Sequence, residues 1–334
     1  MAKLRTREAW VDDVKVVACV LVVLGHFFQS MTKAGILLDG PVYGWFQITI
    51  YTFHVPLFFV CSGYLYQRYS KVDSPASWWR NMRKKALALG VPYVAFTCVT
   101  LAMKSLAGDA VNTEEAGLLQ TLLVRPTAPY WYLYTLFFVF VVTPTTGGAS
   151  LAFFLLAVSV AVRATNLLGG ASMPYAASSV TRYWCWFVSG MCLPELGWQR
   201  LLTRRVGLAC LSFLPLSLAV FAAGAGDAAQ LALGLVACVC VLSLCRSATS
   251  DARPAWLDAC ARFTMPVYLM HTIFAAGTRA VLLRLGTSSA LVHVPLGIAA
   301  SFVGPALAIL AMERLAPLDF LVYPTRYIKI GGTR

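Results

Sequence analysis

Charge is scarce in this chain, and negative charge most of all. Charged residues make up 12% of the 334, with 14 Asp and Glu against 27 Lys and Arg. A soluble domain carries about 25% charged residues, so this composition excludes an ordinary soluble globule. No polar stretch of about 100 residues, the size of a small soluble domain, interrupts the apolar runs. Carboxylates are missing from the middle of every apolar run; Glu195 and Glu313 stand at run ends. That argues against a proton-coupled transporter, which usually carries an acid at mid-membrane. Histidine is rarer still, at 4 residues. The 10 cysteines lie mostly inside apolar segments. Their closest set, Cys238, Cys240 and Cys245, sits in a run too apolar to ligate a metal. Packed, reduced thiols are expected, with no disulfide framework and no metal site. No internal repeat is visible.

What fills the chain instead is a succession of apolar segments near membrane-spanning length, with mean hydropathy +0.71. The expected fold is an all-α integral membrane protein, a single polytopic domain over 1–334. Ten spans are expected, at 14–32, 45–67, 86–107, 130–146, 149–166, 180–197, 206–223, 228–245, 265–285 and 294–312. The first 13 residues (MAKLRTREAWVDD) show no small-residue cleavage site after the first apolar run, so they read as a retained arm. The net charge of +13 is assigned to membrane orientation rather than to nucleic acid. Basic residues number four in the arm through Lys15, six from Arg68 to Lys85, three after the sixth span, three after the eighth and four in the tail. These twenty share one face, which places the 1–13 arm and the 313–334 tail in the cytoplasm. The other seven are Lys33, Lys104, Arg125, Arg163, Arg182, Arg279 and Arg284. One connector, 108–129, holds a stretch over 112–124 (NTEEAGLLQTLLV) that reads as a surface amphipathic helix starting near Thr113.

Against this background the segment FHVPLFFVCSGY, 53–64, is the most informative. It sets His54, a kinking Pro56 and the small pair Ser62-Gly63 inside an apolar run, where polar groups by default mark function. His26 lies near the middle of the preceding span. Lys15 and His26 are eleven residues apart, so they share one helix face about 16 Å apart in rise. Asp12, three residues before Lys15, is placed to pair with it. His54 lies about 13 Å into a span entering from the other face, so the two histidines are expected at one depth. They are the buried groups able to take a proton near neutral pH, which is what activating a hydroxyl requires.

Four segments resemble the membrane acyltransferase 3 superfamily, in particular its short fucose 4-O-acetylase-like branch. They are Asp12 to Lys15 running on to His26, then FHVPLFFVCSGYLY at 53–66, then Trp131-Tyr132-Leu133, and finally the run from Arg262 through Tyr268 to His271. Lys15 stands where most of the family has arginine, and Thr264-Met265-Pro266 replaces a Ser-Tyr-Pro-like run. The resemblance implies transfer of an acyl group, usually acetyl, from cytoplasmic acyl-CoA to a hydroxyl of a surface glycan or its lipid-linked precursor. It implies a bacterial cytoplasmic (inner) membrane location, acyl-CoA as co-substrate and no bound cofactor. His26 is then the candidate general base and His54 the group that orients the thioester or stabilises the oxyanion. Lys15 and Asp12, with Arg80, Arg83, Lys84 and Lys85, are candidates for the donor phosphates; simple membrane anchoring explains that basic cluster equally well. Trp131, Tyr132, Arg182 and Trp184 are candidates for the acceptor, with Trp186, Arg163 and Arg125 behind them. The aromatics also suit an interfacial belt. Ser62, Tyr268 and His271 complete the motif set. His293 reads as an interfacial residue. The chain leaves a homo-oligomer open.

Two rival readings remain at this level. One is an exporter or flippase for a polysaccharide or lipid-linked sugar, which would show no dependence on acyl-CoA. The other is a subunit that carries acetyl across the bilayer for a separate transferase. The charge asymmetry makes a prediction independent of both: a fluorescent reporter fused at the C-terminus should be bright, and a periplasmic phosphatase fused there should be inactive. The reverse pattern would overturn the orientation.

Overall fold

The computed structural model describes residues 8–70, 72–107, 117–168, 173–197, 200–249 and 254–331. Its helices are α1 (Ala9–Lys33), α2 (Pro41–Tyr51), α3 (His54–Tyr69), α4 (Pro75–Lys85), α5 (Val91–Ala107), α6 (Leu118–Leu123), α7 (Trp131–Val142), α8 (Ala149–Leu167), α9 (Tyr175–Cys192), α10 (Arg204–Ala209), α11 (Phe213–Ala222), α12 (Asp227–Ala248), α13 (Ala255–Arg284) and α14 (Ala290–Arg314). A π-helical turn, Ala86–Gly90, joins α4 to α5 directly after Lys85. Among the described residues there is no strand. The fold is an all-α integral membrane bundle, and each of the ten expected spans falls on a helix or on consecutive helices.

Among the described residues, eight segments are long and apolar enough to cross a bilayer: Ala9–Lys33, Pro41–Tyr69, Pro75–Ser105, Ala149–Leu167, Arg204–Ala222, Asp227–Ala248, Ala255–Arg284 and Ala290–Arg314. Two of the ten expected spans differ. The 130–146 span is helical only over the 12 residues of α7, about 18 Å of rise against a hydrocarbon core of about 30 Å. After Val142 the chain runs without helix to Gly148 and is held by hydrogen bonds from Thr145 and Thr146 to the carbonyls of Ser70 and Val72. Helix α9 is long enough but carries Ser178, Ser179, Thr181 and Arg182 in its first half. Both helices bury aromatic faces inside the bundle, including Tyr132, Phe140, Trp186 and Phe187, so they answer to protein neighbours more than to lipid. The helix expected over 112–124 is seen as Leu118–Leu123; residues 108–116, with its expected start near Thr113, lie outside the described residues.

The second span is broken. Helix α2 ends at Tyr51 and α3 begins at His54. Pro56 was expected to kink a continuous helix, but it sits in the first turn of α3, where a missing N–H leaves no hydrogen bond unmade. The interruption lies just before it, at Thr52 and Phe53. The carbonyl of Thr52 there packs against Gly234 of α12, where a Cβ would come within 2.5 Å of the oxygen.

Below the break, α3 packs along α9, and two glycines set how closely. A Cβ on Gly63 would stand 1.8 Å from the Phe187 carbonyl oxygen, and one on Gly190 would stand 2.0 Å from that of Val60. The small pair Ser62-Gly63 is therefore half packing device: reciprocal glycines let two backbones touch, as in small-residue helix crossings generally. The C-terminal end of α3 is tied to the start of α1 through Glu8, which accepts hydrogen bonds from Tyr64 (3.2 Å) and Tyr69 (2.7 Å). Helices α1 and α3 thus run antiparallel with their basic ends together.

The glycine crossing predicts that Gly63→Ala or Gly190→Ala lowers the apparent Tm of the purified protein, with a loss of about 1–3 kcal/mol or more from overpacking. Gly277→Ala, in α13 with nothing within 4 Å of the added methyl, should leave Tm unchanged. Equal effects at all three would refute the crossing.

Candidate functional site

The break in the second span creates the site's best-defined feature. The last carbonyls of α2 must be satisfied from within the protein: Thr49 accepts from Thr52 Oγ1 at 2.9 Å, and Ile50 accepts a long bond from the Phe53 N–H at 3.3 Å that leaves room for a second donor. His54, 2% exposed, answers with its ring: Nδ1 lies 2.6 Å from the Ile50 carbonyl oxygen. A carbonyl oxygen only accepts, so Nδ1 carries the proton and Nε2 presents a lone pair. His271, in the interior of α13, is held the same way, with Nδ1 2.9 Å from the carbonyl oxygens of Val267 and Tyr268. Its Nε2 is buried and has no hydrogen-bond partner among the described residues. Backbone geometry therefore makes Nδ1 the donor in both rings, and in their neutral form it fixes one tautomer.

His26 joins them from α1. Its ring centroid lies 5.5 Å from that of His271, tilted by 40°. The preceding Gly25 lets the end of α2 lie against α1, since a Cβ there would meet Ile50 and Tyr51 at 3.1 Å. Tyr51 in turn stands edge-on to His54 at 4.8 Å. A small chamber of about 60 Å³ is lined by His26, His54, Tyr51, Trp131, Tyr132, Tyr183 and Tyr268, among others. The expectation that His26 and His54 share a depth is met in this geometry. The late motif supplies one wall, Tyr268, which donates to the Pro129 carbonyl; His271 stands behind, beside His26. Ser62 Oγ lies 3.3 Å from the Tyr132 hydroxyl. Tyr130, fully buried, ties α13 to the site by donating to the Leu269 carbonyl at 3.0 Å.

His26 also opens onto a second, much larger cavity of about 600 Å³ between α1, α5 and α13. Its lining holds Lys33, Lys104, Arg279 and Arg284, and no carboxylate among the described residues. Arg279 is anchored by one nitrogen on Ser30, donating to its carbonyl oxygen at 3.1 Å and to its hydroxyl. A third cavity, about 100 Å³, adjoins the chamber through Tyr51 and Tyr183 and contains Arg163, Arg182, Asp227 and Trp186. Arg182 lies 3.5 Å from Asp227; Arg163 is buried, and its Nε has no partner among the described residues.

Trp184 does not come to this place. Helical geometry puts residues 182, 183 and 186 on one side of α9 and 184 on the other, where its Nε1 donates to Thr143 Oγ1 at 2.9 Å. Trp186 instead lines the cavity with the two arginines. His293, in the first turn of α14, is buried at 1% exposed, and its Nε2 donates to the Thr287 carbonyl at 2.9 Å.

At the opposite, basic end a cavity of about 750 Å³ is lined by Arg80, Asn81, Lys84, Lys85 and Lys329, among others. Asn81 Nδ2 is buried there without a partner among the described residues. Lys85 Nζ sits 4.1 Å over the Phe140 ring, and Lys15 is close enough to Lys85 to repel it. Arg83 is exposed and is not part of this lining. Lys15 and Asp12, on α1, are not part of this lining. The basic cavity and the histidine chamber share no lining residue. Among the described residues, no three His, Cys, Asp or Glu are placed to hold a metal ion.

Sequence reading missed the gathering of far-half cations. Lys33, Lys104, Arg279 and Arg284 had been noticed only as exceptions to the charge bias, and that exception was the available signal. The tautomer assignment is directly testable. Nitrogen-15 NMR of histidine-labelled protein should show Nδ1–H, Nε2-unprotonated resonances that disappear in His54→Gln and His271→Gln. Nε2–H signals at those positions would refute it.

A family model described as an acyltransferase domain matches residues 8–310, which includes every helix that contributes to the chamber. No curated protein and no solved structure gives a match to the chain. With nearly its whole length matched by that model, the chain belongs to the acyltransferase 3 family of multi-pass membrane acyltransferases.

Proposed function

We propose that this membrane acyltransferase moves an acyl group, acetyl by preference, from acyl-CoA at its basic face to a hydroxyl of a glycan or lipid-linked glycan at the opposite face. The observation that carries the reading is the position of His26. It is shared between a large cavity and a small chamber lined by His54, and its ring lies 5.5 Å from that of His271, with Nδ1 of both neighbours held by backbone carbonyls.

In this reading a ring nitrogen of His26 takes the proton of the acceptor hydroxyl as its oxygen bonds to the thioester carbonyl carbon. The tetrahedral intermediate collapses with cleavage of the carbon–sulfur bond. The CoA sulfur leaves as thiolate and takes up a proton, which His26 is placed to return. The lone pair at His271 Nε2 stabilises His26 while it is protonated. His54, with Nδ1 committed to Ile50, orients the thioester. Tyr132 and Trp131 provide aromatic faces for the acceptor, and Arg182 with Arg163 provides polar contacts beside it.

Donor binding follows from charge. The phosphates of CoA suit Arg80, Lys84, Lys85 and Lys329 around the basic cavity, with Lys15 of α1 drawing the thioester arm inward. Arg83 then contributes only to the surrounding field. A lysine at position 15 also fits the fucose 4-O-acetylase-like branch. The positive-inside bias places this cavity in the cytoplasm, and a bacterial inner membrane supplies both acyl-CoA and an envelope glycan.

The decisive experiment uses purified protein in nanodiscs with radiolabelled acetyl-CoA. Wild type should release CoA and label a glycan acceptor; His26→Ala, folded to the same Tm, should lower kcat by about 10²–10⁴-fold. No CoA release from wild type across a panel of acceptors would sink the reading in favour of export.

A further inference from the structure

The twenty-seven basic residues are not distributed as orientation alone requires. Seven belong to the far half of the bundle, and six of those seven gather around two cavities: Lys33, Lys104, Arg279 and Arg284 around one, Arg163 and Arg182 around the other. Like charges confined to one cavity repel each other, more strongly next to apolar protein than in water. The larger cavity sets Lys104, Arg279 and Arg284 against an apolar wall that includes Met103, Ile273 and Leu283. Placing charge beside such a wall is unfavourable unless something offsets it.

The cations are also graded in height above the chemistry. Ser30, which anchors Arg279, is four residues past His26, about 6 Å of rise. Arg279 is eight residues past His271, about 12 Å, and Arg284 thirteen, about 20 Å. Arg279, held through one nitrogen, keeps further donors in a fixed fork suited to a phosphate or carboxylate. A ligand reaching His26 with a hydroxyl would have to carry its anionic group one or two sugar units away to meet these side chains.

We infer that the cavity of about 600 Å³ binds an anionic, hydroxyl-bearing glycan, with Lys104, Arg279 and Arg284 holding a phosphate or carboxylate while a hydroxyl reaches His26. This deepens the proposed function and rests on its assignment of the acceptor to this end of the bundle. Two sources share the chemistry: the phosphate linking a glycan to its lipid, and the carboxylate of an acidic sugar.

Equilibrium dialysis against the full-length protein in phosphatidylcholine nanodiscs separates them. The probes are farnesyl-phosphate-linked glucose beside farnesyl glucoside, and a glucuronic-acid disaccharide beside maltose. One anionic probe should bind at least about tenfold more tightly than its neutral counterpart, with an affinity that falls as salt is raised; which one identifies the source. Lys104→Gln with Arg284→Gln should lose about tenfold for that probe and nothing for the neutral one. Lys104→Arg, which keeps the charge, should retain binding. Arg205→Gln, exposed and outside both cavities, should bind like wild type. Binding of charged and neutral probes within about twofold of each other, or no loss in the double variant, would overturn the inference. So would displacement of the anionic probe by CoA, which would put the donor in this cavity. The parallel CoA-release assay separates the two failures. Anionic preference without CoA release refutes the acyl-transfer reading and keeps this one. CoA release to neutral and anionic acceptors alike does the opposite.

Discussion

A carbonyl oxygen inside a bilayer must find donors, and here the shorter of two contacts is to a histidine, the other being the Phe53 N–H at 3.3 Å. The break between α2 and α3 frees the carbonyls at the end of α2 in a place where water cannot serve them. His54 caps Ile50 at 2.6 Å, and most of the site follows from that contact. It decides which nitrogen of His54 carries the proton. It sets Tyr51 edge-on beside the ring, where the tyrosine also walls the neighbouring arginine cavity. Glycine at 25 and at 234 leaves room for the broken segment on either side. Remove the cap, and the interruption becomes a cost to the fold as well as to the chamber.

The same economy appears at His271, whose Nδ1 is occupied by carbonyls one turn back along α13. His26 differs from both in having no such backbone tether, and it stands between two spaces. One fixed, unprotonated nitrogen beside a less constrained imidazole is a sensible arrangement for moving a proton, since the partner does not have to reorganise. The charge pattern fits around it. Basic residues cluster at both ends of the bundle, and the carboxylates that would neutralise them at the chamber are missing from the described lining.

Much of this was legible from residue types. An imidazole in an apolar run, twice, with a third beside Tyr268, identified the histidines before any geometry. What failed were inferences that needed the helix path. Pro56 suggests a kink, but a proline is equally at home in a first helical turn, and only the backbone shows that α3 begins two residues before it. Trp184 and Trp186 are equivalent as composition; a difference of two residues, about 200° around a helix, sends one to Thr143 and the other to the arginines. Gly63 read as part of a site because it adjoins Ser62, whereas its closest neighbour is the backbone of α9. The far-half cations were visible as a departure from the orientation rule, but that they come together depends on α1, α5 and α13 meeting, which no local pattern encodes.

The shortness of α7 acts as a measure of distance. Its first residues, Trp131 and Tyr132, line the chamber, and Phe140 near its other end lies under Lys85, which borders the basic cavity. From Tyr132 to Phe140 is eight residues, about 12 Å of rise, where the hydrocarbon core would measure about 30 Å. A carrier gripped by its head at one rim therefore need not cross a membrane at all. It has only to extend its tail through less than half of one, while its head stays on the side where it was made.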